Sequence, residues 1–164
     1  SAKPPDRSMG SRVRVLMTGV PMAHGAEKVL DIIEEHGGLV VSMENCTGLK
    51  PIMDDVPCGN GDPLRAIADH YFKLPCSVKT PNNSRLNLIR RLVKEYRPEC
   101  IIDLVWQACL TYDVESHFVS QTAEEMGLPY LRVETDYSPS DTARIAVRVE
   151  ALFETAGGTP SRYQ

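Results

Sequence analysis

The feature that most constrains this chain is the alternation of short apolar runs with longer amphipathic stretches. The runs lie at residues 13–19, 39–43, 101–106 and 130–134, and each is apolar almost throughout. Such runs are typical of strands that are buried on both faces of a parallel sheet. Because helical stretches separate them in the order βαβααβαβα, the sequence predicts a three-layer αβα, flavodoxin-like (Rossmann-like) domain. The expected order of the four-stranded parallel sheet is 2-1-3-4.

Apolar residues at helical spacing predict five helices, which end at Gly or before Pro. The residues expected to start or cap the second, third and last helices are Asp62 with Pro63, Asn83 or Ser84, and Ser140 or Asp141. The expected buried faces are, helix by helix, Ala26, Val29, Leu30 and Ile33; Leu64, Ile67, Ala68 and Tyr71; Leu86, Ile89, Leu92, Val93 and Tyr96; Val114, Phe118, Val119, Thr122 and Met126; and Ile145, Val149, Leu152 and Phe153.

The 164 residues suit one domain with a core that needs no disulfide. Residues 1–11 are rich in Pro, Ser and charge, so they are predicted to be a flexible lead-in or a cut interdomain linker. Residues 12–156 are predicted to form the domain, and residues 157–164 a flexible tail.

Charge and hydropathy exclude two classes of partner. The net charge is -4, and Lys and Arg are scattered, so the electrostatic footprint of a nucleic-acid-binding protein is missing. The chain has no apolar run of about 18 residues and no start that resembles a signal peptide. We therefore expect a cytoplasmic protein that binds neither nucleic acid nor membrane.

Ligands of open parallel sheets bind outside the carboxyl ends of the strands. The segments predicted at that edge are residues 18–21, 44–48, 107–109 and 134–138. Glu134 and Asp136 form a candidate acid/base pair there, although acids that cap the following loop are commoner. Glu115 is a further candidate for catalysis, but it is most simply a carboxylate in the first turn of a helix, where the helix dipole favours it.

Five cysteines, at positions 46, 58, 76, 100 and 109, form neither a CxxC pair nor a compact cluster with histidine. This spacing argues against a disulfide framework and against a zinc finger. Cys100 opens the third strand at the opposite edge and is expected to be a packed thiol, and Cys58 lies in a long loop. Cys46, Cys76 and Cys109 are candidates to converge at one rim, which suits an iron–sulfur cluster better than zinc. The alternative is that they are ordinary rim residues.

Several phrases together resemble a known family. They are ENCTG (44–48), DPLRAIADHYFKLPC (62–76), NNSRL (82–86), QACLTYDVES (107–116) and VETDYS (133–138). In this order they are similar to the 2-hydroxyacyl-CoA dehydratase D-component family, which includes the class I benzoyl-CoA reductase subunits. Within the family, the chain looks closest to the double-cubane cluster proteins.

The resemblance implies a carboxyl-terminal domain, whose parent holds a [4Fe-4S] or double-cubane cluster between two flavodoxin-like domains. It implies that Cys109 is an iron ligand, that Cys76 is one in some members, and that Cys46 lies on or near the cluster in some branches. The remaining ligands would lie on the missing amino-terminal half. Many relatives have a second cysteine soon after the position of Cys76, which is absent here. The groups expected to bind or tune the cofactor are those around Thr47, Gly48, Thr135, Tyr137 and Ser138.

For the dehydratases, the resemblance implies that an ATP-dependent activator protein donates one electron. The electron converts an (R)-2-hydroxyacyl-CoA to a ketyl radical, which loses hydroxide and then a β-proton to give an enoyl-CoA. A dimer partner subunit is also implied. The alternatives are a double-cubane reductase of a small molecule that never handles CoA, a benzoyl-CoA reductase-type subunit, and a domain that docks without metal. The isolated chain is expected to be inactive and without an intact cluster.

Overall fold

The computed structural model describes residues 12–57, 59 and 61–157. The predicted lead-in at 1–11, most of the predicted tail, and Cys58 lie outside the described residues. In the described part of the chain, four parallel strands form one sheet in the order β2-β1-β3-β4. Their bounds are Val13–Gly19 (β1), Gly38–Glu44 (β2), Cys100–Trp106 (β3) and Tyr130–Thr135 (β4). The predicted fold class and strand order are confirmed.

Five α-helices accompany the sheet among the described residues. They are α1 (Lys28–Glu35), α2 (Pro63–Phe72), α3 (Asn83–Tyr96), α4 (Leu110–Glu125) and α5 (Thr142–Gly157). Helices α1 and α5 pack against each other, and α3 packs against α4. Two separate apolar clusters result, one that includes Val29 and Ile145 and one that includes Ile89 and Val119. These clusters lie between the sheet and the two helical layers that cover it.

The predicted buried face of α2 is wrong. Leu64 is 78% exposed and Tyr71 is 51% exposed, and no residue of α2 is buried. The start of the helix is as predicted, because Asp62 Oδ1 accepts a hydrogen bond from the Arg65 backbone N–H at 3.1 Å and Pro63 follows it. Periodicity identifies an amphipathic helix but does not identify what covers its apolar face.

The predicted face of α4 is wrong in part. Val119 and Thr122 are buried as expected, but Val114 is 64% exposed and Phe118 is 45% exposed. The neighbouring polar residue Glu115 is buried instead. The helix is rotated from the predicted orientation because its inner face meets buried charged side chains rather than only apolar ones.

The capping prediction for α3 is wrong, whereas α5 begins directly after Asp141, at the predicted position. Asn82, rather than Asn83 or Ser84, precedes α3, and its side chain makes no capping hydrogen bond. A short 3-10 turn, Pro139–Asp141, precedes α5, and Ser138 Oγ accepts the hydrogen bond from the Ser140 N–H that starts this turn.

Two glycines allow the backbone to turn sharply at the carboxyl edge. Gly19 ends β1 with a φ of 108°, and a Cβ there would lie 2.0 Å from the Leu104 carbonyl oxygen. Gly48 packs so closely on β2 that a Cβ would lie 2.4 Å from the Met43 carbonyl oxygen. Only glycine fits at these two positions without backbone movement. Within the described segments, every helix is too short or too polar to traverse a bilayer.

Candidate functional site

The loop after β2 holds Cys46 at the surface between two anchored neighbours. Asn45 is fully buried; its Nδ2 donates to the Val20 carbonyl at 3.4 Å, and its Oδ1 accepts from the Thr47 N–H at 3.2 Å. Thr47 Oγ1 accepts from the Met22 N–H at 3.1 Å. The loop is therefore tied to the loop after β1, while the Cys46 side chain stays exposed.

Cys76 lies half-buried in the loop between α2 and α3. Its carbonyl accepts hydrogen bonds from the Lys79 N–H at 3.1 Å and from Asn82 Nδ2 at 2.9 Å. The same Asn82 Nδ2 donates to Glu115 Oε2 on α4, also at 2.9 Å. Asn82 therefore fastens the Cys76 loop to the helix that follows Cys109.

Cys109 is half-buried and immediately precedes α4. Its N–H donates to the Trp106 carbonyl at 2.9 Å, and its own carbonyl accepts from the Asp113 N–H at 3.0 Å. Ala108, just before it, has a φ of 66°, in the left-handed region that residues with a side chain rarely adopt. The thiol thus lies at the amino end of a 16-residue helix, where the helix dipole favours negative charge.

Tyr112 connects these three cysteine-bearing loops. It follows Cys109 in the first turn of α4 and is only 6% exposed. Burial, and then the neighbouring Cys46, raise the pKa of its hydroxyl, whereas a hydrogen bond with the Ser77 side chain acts in the opposite direction. The phenol is therefore close enough to Cys46, and to the Ser77 side chain after Cys76, for both to act on its pKa.

The structure thus brings the three predicted iron ligands into neighbouring loops, and each of their thiols is free. Within the segments described, no three His, Cys, Asp or Glu side chains are arranged to hold a metal ion. Cys100 is fully buried at the other end of β3, and burial, then Glu99, raise its pKa to about 12. The prediction that Cys100 is a packed thiol is confirmed.

A buried group of polar and charged side chains adjoins these loops. We call it the Arg85 cluster, and its members are Thr18, Glu44, Lys50, Arg85 and Glu115. Arg85 Nε donates to Glu44 Oε2 at 3.2 Å, and its Nη2 donates to Thr18 Oγ1 at 3.0 Å. Arg85 Nη1 donates to Glu115 Oε2 at 3.4 Å. Lys50 Nζ lies 2.6 Å from Glu44 Oε1, so two cations face two carboxylates out of contact with water.

Electrostatics keep Arg85 charged inside the protein. Burial lowers the pKa of Arg85, but the carboxylates of Glu44 and Asp103 outweigh burial, so the pKa lies above its ordinary value. The guanidinium also lies 5.0 Å from the centre of the Tyr112 ring, within the range of a cation–π contact. Asp103 is the converse case, because burial raises its pKa although Tyr130 Oη donates to its Oδ2 at 2.8 Å.

A second charged group lies where β4 ends. We call it the Lys28 cluster, and its members are Lys28, Thr135, Asp136, Ser138 and Asp141. Lys28 Nζ donates to Thr135 Oγ1 and to Asp141 Oδ1, both at 2.6 Å. It also donates to the carbonyls of Asp136 at 2.9 Å and Ser138 at 2.6 Å. Burial acts to raise the pKa of Asp141, but hydrogen bonds from Lys28 and Thr135 outweigh burial and lower it.

The residues predicted to bind a cofactor therefore fall into two separate groups. Thr47 and Gly48 belong to the Cys46 loop, where the hydroxyl of Thr47 holds that loop in place. Thr135 and Ser138 belong to the Lys28 cluster. Tyr137 is 72% exposed, and its ring centre lies 4.7 Å from that of Trp106.

The three candidate acids have different surroundings. Glu115 is not in the first turn of α4 as expected, since Asp113 is the acid there, and it is buried against Arg85 and Asn82. Glu134 is exposed and accepts a hydrogen bond from Arg132 Nη2 at 2.8 Å. Asp136 is exposed, and its Oδ1 accepts from the Ser138 N–H at 2.8 Å, as a loop-capping acid does.

Sequence reasoning missed Arg85 and Lys50 entirely. A signal for Arg85 was present, since it lies four residues before Ile89 and therefore on the apolar stripe of α3. A lone arginine on such a stripe indicates a buried charge with partners on other elements. Lys50 follows a glycine-containing loop and carries no comparable signal.

Comparisons with known proteins identify the family of this chain. The model of a family described as 2-hydroxyglutaryl-CoA dehydratase, D-component, matches residues 2–156. The putative dehydratase subunit YjiM of Escherichia coli (strain K12) is 42% identical over 144 residues, which are 87% of this chain and 37% of that protein. The (R)-phenyllactyl-CoA dehydratase beta subunit of Clostridium sporogenes is 24% identical over 143 residues, with the same two shares. The chain thus spans well under half the length of these curated relatives, and it belongs to the 2-hydroxyglutaryl-CoA dehydratase D-component family.

Proposed function

We propose that this chain is the carboxyl-terminal domain of an iron–sulfur enzyme that dehydrates an (R)-2-hydroxyacyl-CoA to an enoyl-CoA. The observation that carries the proposal is that Cys46, Cys76 and Cys109 lie in neighbouring loops joined by Tyr112, Asn82 and the Arg85 cluster. Membership of the dehydratase D-component family supports it. The name of the C. sporogenes relative supports an acyl-CoA as the substrate class.

The side chains present fit part of the ligand set of an iron–sulfur cluster. Cysteine thiolates are the usual ligands of such clusters, and the three thiols are free and lie at least partly at the surface. Cys109, Cys76 and Cys46 would hold one side of a [4Fe-4S] or double-cubane cluster, and the remaining ligands would come from an amino-terminal half. When bound, such a cluster supplies one-electron chemistry at low potential and iron as a Lewis acid.

The chain's own contribution is to hold and orient these ligands. The hydroxyl of Thr47 and the close approach of Gly48 to β2 shape the Cys46 loop. Thr135 and Ser138 shape the loop after β4 through Lys28. We infer that these residues act on the cofactor by positioning the loops.

Proton removal from the substrate needs a base that can reach it. Glu134 and Asp136 are exposed and meet this requirement, whereas Glu115 is enclosed by Arg85 and Asn82. Tyr137 projects at the same edge and is a candidate contact for the substrate or the cofactor. The catalytic base of this chain is therefore proposed among Glu134 and Asp136.

Exposed apolar residues adjoin two of the three cysteines. Phe72 and Val78 flank Cys76 and are 90% and 72% exposed, and Leu110, next to Cys109, is 74% exposed. Such residues indicate a surface that another protein segment covers. We propose that the amino-terminal half covers it, with a dimer partner subunit and an ATP-dependent activator protein completing a cytoplasmic enzyme.

Anaerobic reconstitution of the full-length protein with iron and sulfide tests the proposal. Iron, acid-labile sulfide and a broad visible absorption band are expected, and Cys109→Ser should lose most of them because it removes a ligand. Cys100→Ala is the matched control, since it removes a buried thiol at the opposite edge. A protein that binds no iron, or a Cys109→Ser variant that binds as much as Cys100→Ala, would contradict the proposal.

Substrate class is tested separately by acyl-CoA binding to the reconstituted full-length protein, measured by calorimetry. A 2-hydroxyacyl-CoA should bind and, with the activator and ATP, give the enoyl-CoA. A protein that carries a cluster but binds no acyl-CoA would instead be a reductase of another small molecule.

A further inference from the structure

Arg85 occupies an unusual position relative to the three cysteine-bearing loops. Its side chain is fully buried, and its two carboxylate partners lie close in sequence to two of these loops. Glu44, which accepts from its Nε, lies two residues before Cys46. Glu115, which accepts from its Nη1, lies on the helix that begins just after Cys109.

The third loop, which carries Cys76, is linked to Arg85 through Asn82. The Arg85 N–H donates to the Asn82 carbonyl at 3.0 Å, and the Asn82 side chain holds the Cys76 carbonyl. Asn82 and Arg85 also share one acceptor, Glu115 Oε2. The Tyr112 ring centre lies 5.0 Å from the Arg85 guanidinium carbon. The hydroxyl of the same tyrosine is close enough to Cys46 and Ser77 for both to act on its pKa.

From this geometry we propose that Arg85 is a positioning residue that sets the relative placement of the Cys46, Cys76 and Cys109 loops. The inference rests on the proposed function where it treats these cysteines as ligands of one group. The planar guanidinium suits the task because it offers several N–H donors at fixed angles, whereas a lysine ammonium is a single point charge.

Stability alone does not account for an arginine here. An apolar side chain at this position would continue the stripe formed by Ile89 and Leu92, and well-packed apolar replacements of buried ion pairs are often as stable as the ion pair. A buried cation that donates to Glu44 and to Glu115 instead specifies one arrangement of the segments that carry Cys46 and Cys109. Asn82 adds the Cys76 loop to this arrangement, because it donates both to the Cys76 carbonyl and to the same Glu115 oxygen. That arrangement is needed if three thiols are to bind one rigid group.

The test is cysteine labelling of the full-length protein without cluster, with iodoacetamide and mass spectrometry, in wild type, Arg85→Lys and Arg91→Lys. Arg91 is the matched control because it lies on the same helix but pairs with Asp54 at the surface. In Arg85→Lys, Cys76 and Cys109 should react about tenfold faster, because their loops open more often. Cys46 should change little, since it is already exposed.

Cys100 serves as an internal control, because it is fully buried and reacts only when the core opens. Equal rates in Arg85→Lys and Arg91→Lys would overturn the proposal. A parallel rise at Cys100 would also overturn it, because Arg85 would then support the whole fold rather than the loops.

A second measurement reports on the placement of the cluster ligands. After anaerobic reconstitution and reduction, Arg85→Lys should keep iron but show an electron paramagnetic resonance spectrum with shifted g values, whereas Arg91→Lys should match wild type. An Arg85→Lys spectrum identical to wild type would overturn the proposal that Arg85 places the ligands. A wild-type protein that binds no iron would overturn the proposed function, and the labelling rates would still decide whether Arg85 orders the loops.

Discussion

The Arg85 cluster and the Lys28 cluster stand at the same edge of one sheet, and each centres on a cation, yet their surroundings differ. Arg85 has no exposed area, and its partners Thr18, Glu44 and Glu115 lie on two strands and a helix that are distant in sequence. Lys28 keeps 15% of its side chain exposed, and its four acceptors all lie within residues 135–141.

The difference shows two uses of a buried or half-buried charge. The Lys28 cluster ties α1 to the single turn formed by residues 135–141, and water can replace part of its hydrogen bonding. The Arg85 cluster joins β1 and β2 to α4, and its arginine is fully buried. Removing one partner from a buried ion pair is therefore expected to be far more harmful than removing one from a half-exposed pair.

The largest effect is expected for Glu44→Gln. This change leaves Arg85 and Lys50 without their shared carboxylate, so it should lower the free energy of unfolding by about 3–5 kcal/mol. Denaturant titration measures the loss. In Glu44→Gln combined with Lys50→Met, part of the loss should be recovered, because the uncompensated charge of Lys50 is gone while Arg85 keeps Glu115 as its partner. A loss from Glu44→Gln below about 1 kcal/mol would show that the cluster resembles a surface pair.

Lys28→Met should have a smaller effect of about 2 kcal/mol, since hydrogen bonds between charged groups are lost while water can still solvate Asp141 in part. Lys94→Met, at an exposed position of α3, is the matched control and should leave stability nearly unchanged. If Lys28→Met proved as harmful as Glu44→Gln, the distinction between the two clusters would fail.

Asp103, which interacts with Arg85, and Asp141, in the Lys28 cluster, should make stability depend on pH with opposite signs. Because burial raises the pKa of Asp103 in the folded state, stability falls as pH rises from about 3.9, the ordinary pKa of Asp, to that higher value. In Asp103→Asn this loss is absent, so the variant should gain stability relative to wild type as pH rises through that window.

Asp141 is the opposite case to Asp103, because hydrogen bonds from Lys28 and Thr135 lower its pKa in the folded state despite burial. Its contribution is present above about pH 3.9 and is lost as pH falls through the lowered pKa. Asp141→Asn should therefore lose stability relative to wild type as pH rises. Unfolding titrations of both variants at several pH values test this, and slopes of the same sign would refute the assignment.

The smallest effect on stability is expected on α2. Leu64→Ser changes a side chain that is 78% exposed, so the free energy of unfolding of this domain should change by no more than about 0.5 kcal/mol. Val149→Ser, on the buried face of α5, is the contrasting variant and should be strongly destabilising. A large loss in Leu64→Ser would mean that α2 packs on this domain itself.

Most of the fold was predictable because strands and their order follow from local patterns. Buried parallel strands have a continuous apolar character, and short right-handed connections leave few topologies open. The faces of α2 and α4 were not predictable in the same way. Apolar spacing alone cannot distinguish a face that meets the core of this domain from one that is left exposed.

The candidate site was likewise predictable only in part. The sequence by itself determined that Cys46 and Cys109 follow strands at the carboxyl edge and that Cys100 lies at the other end. Only the tertiary structure decided that Glu115 is buried, that Thr135 and Ser138 accept hydrogen bonds from Lys28, and that Arg85 pairs with both Glu44 and Glu115. The physical reason is that an ion pair between residues 41 or 30 positions apart has no local signature, because its partners meet only after the sheet has formed.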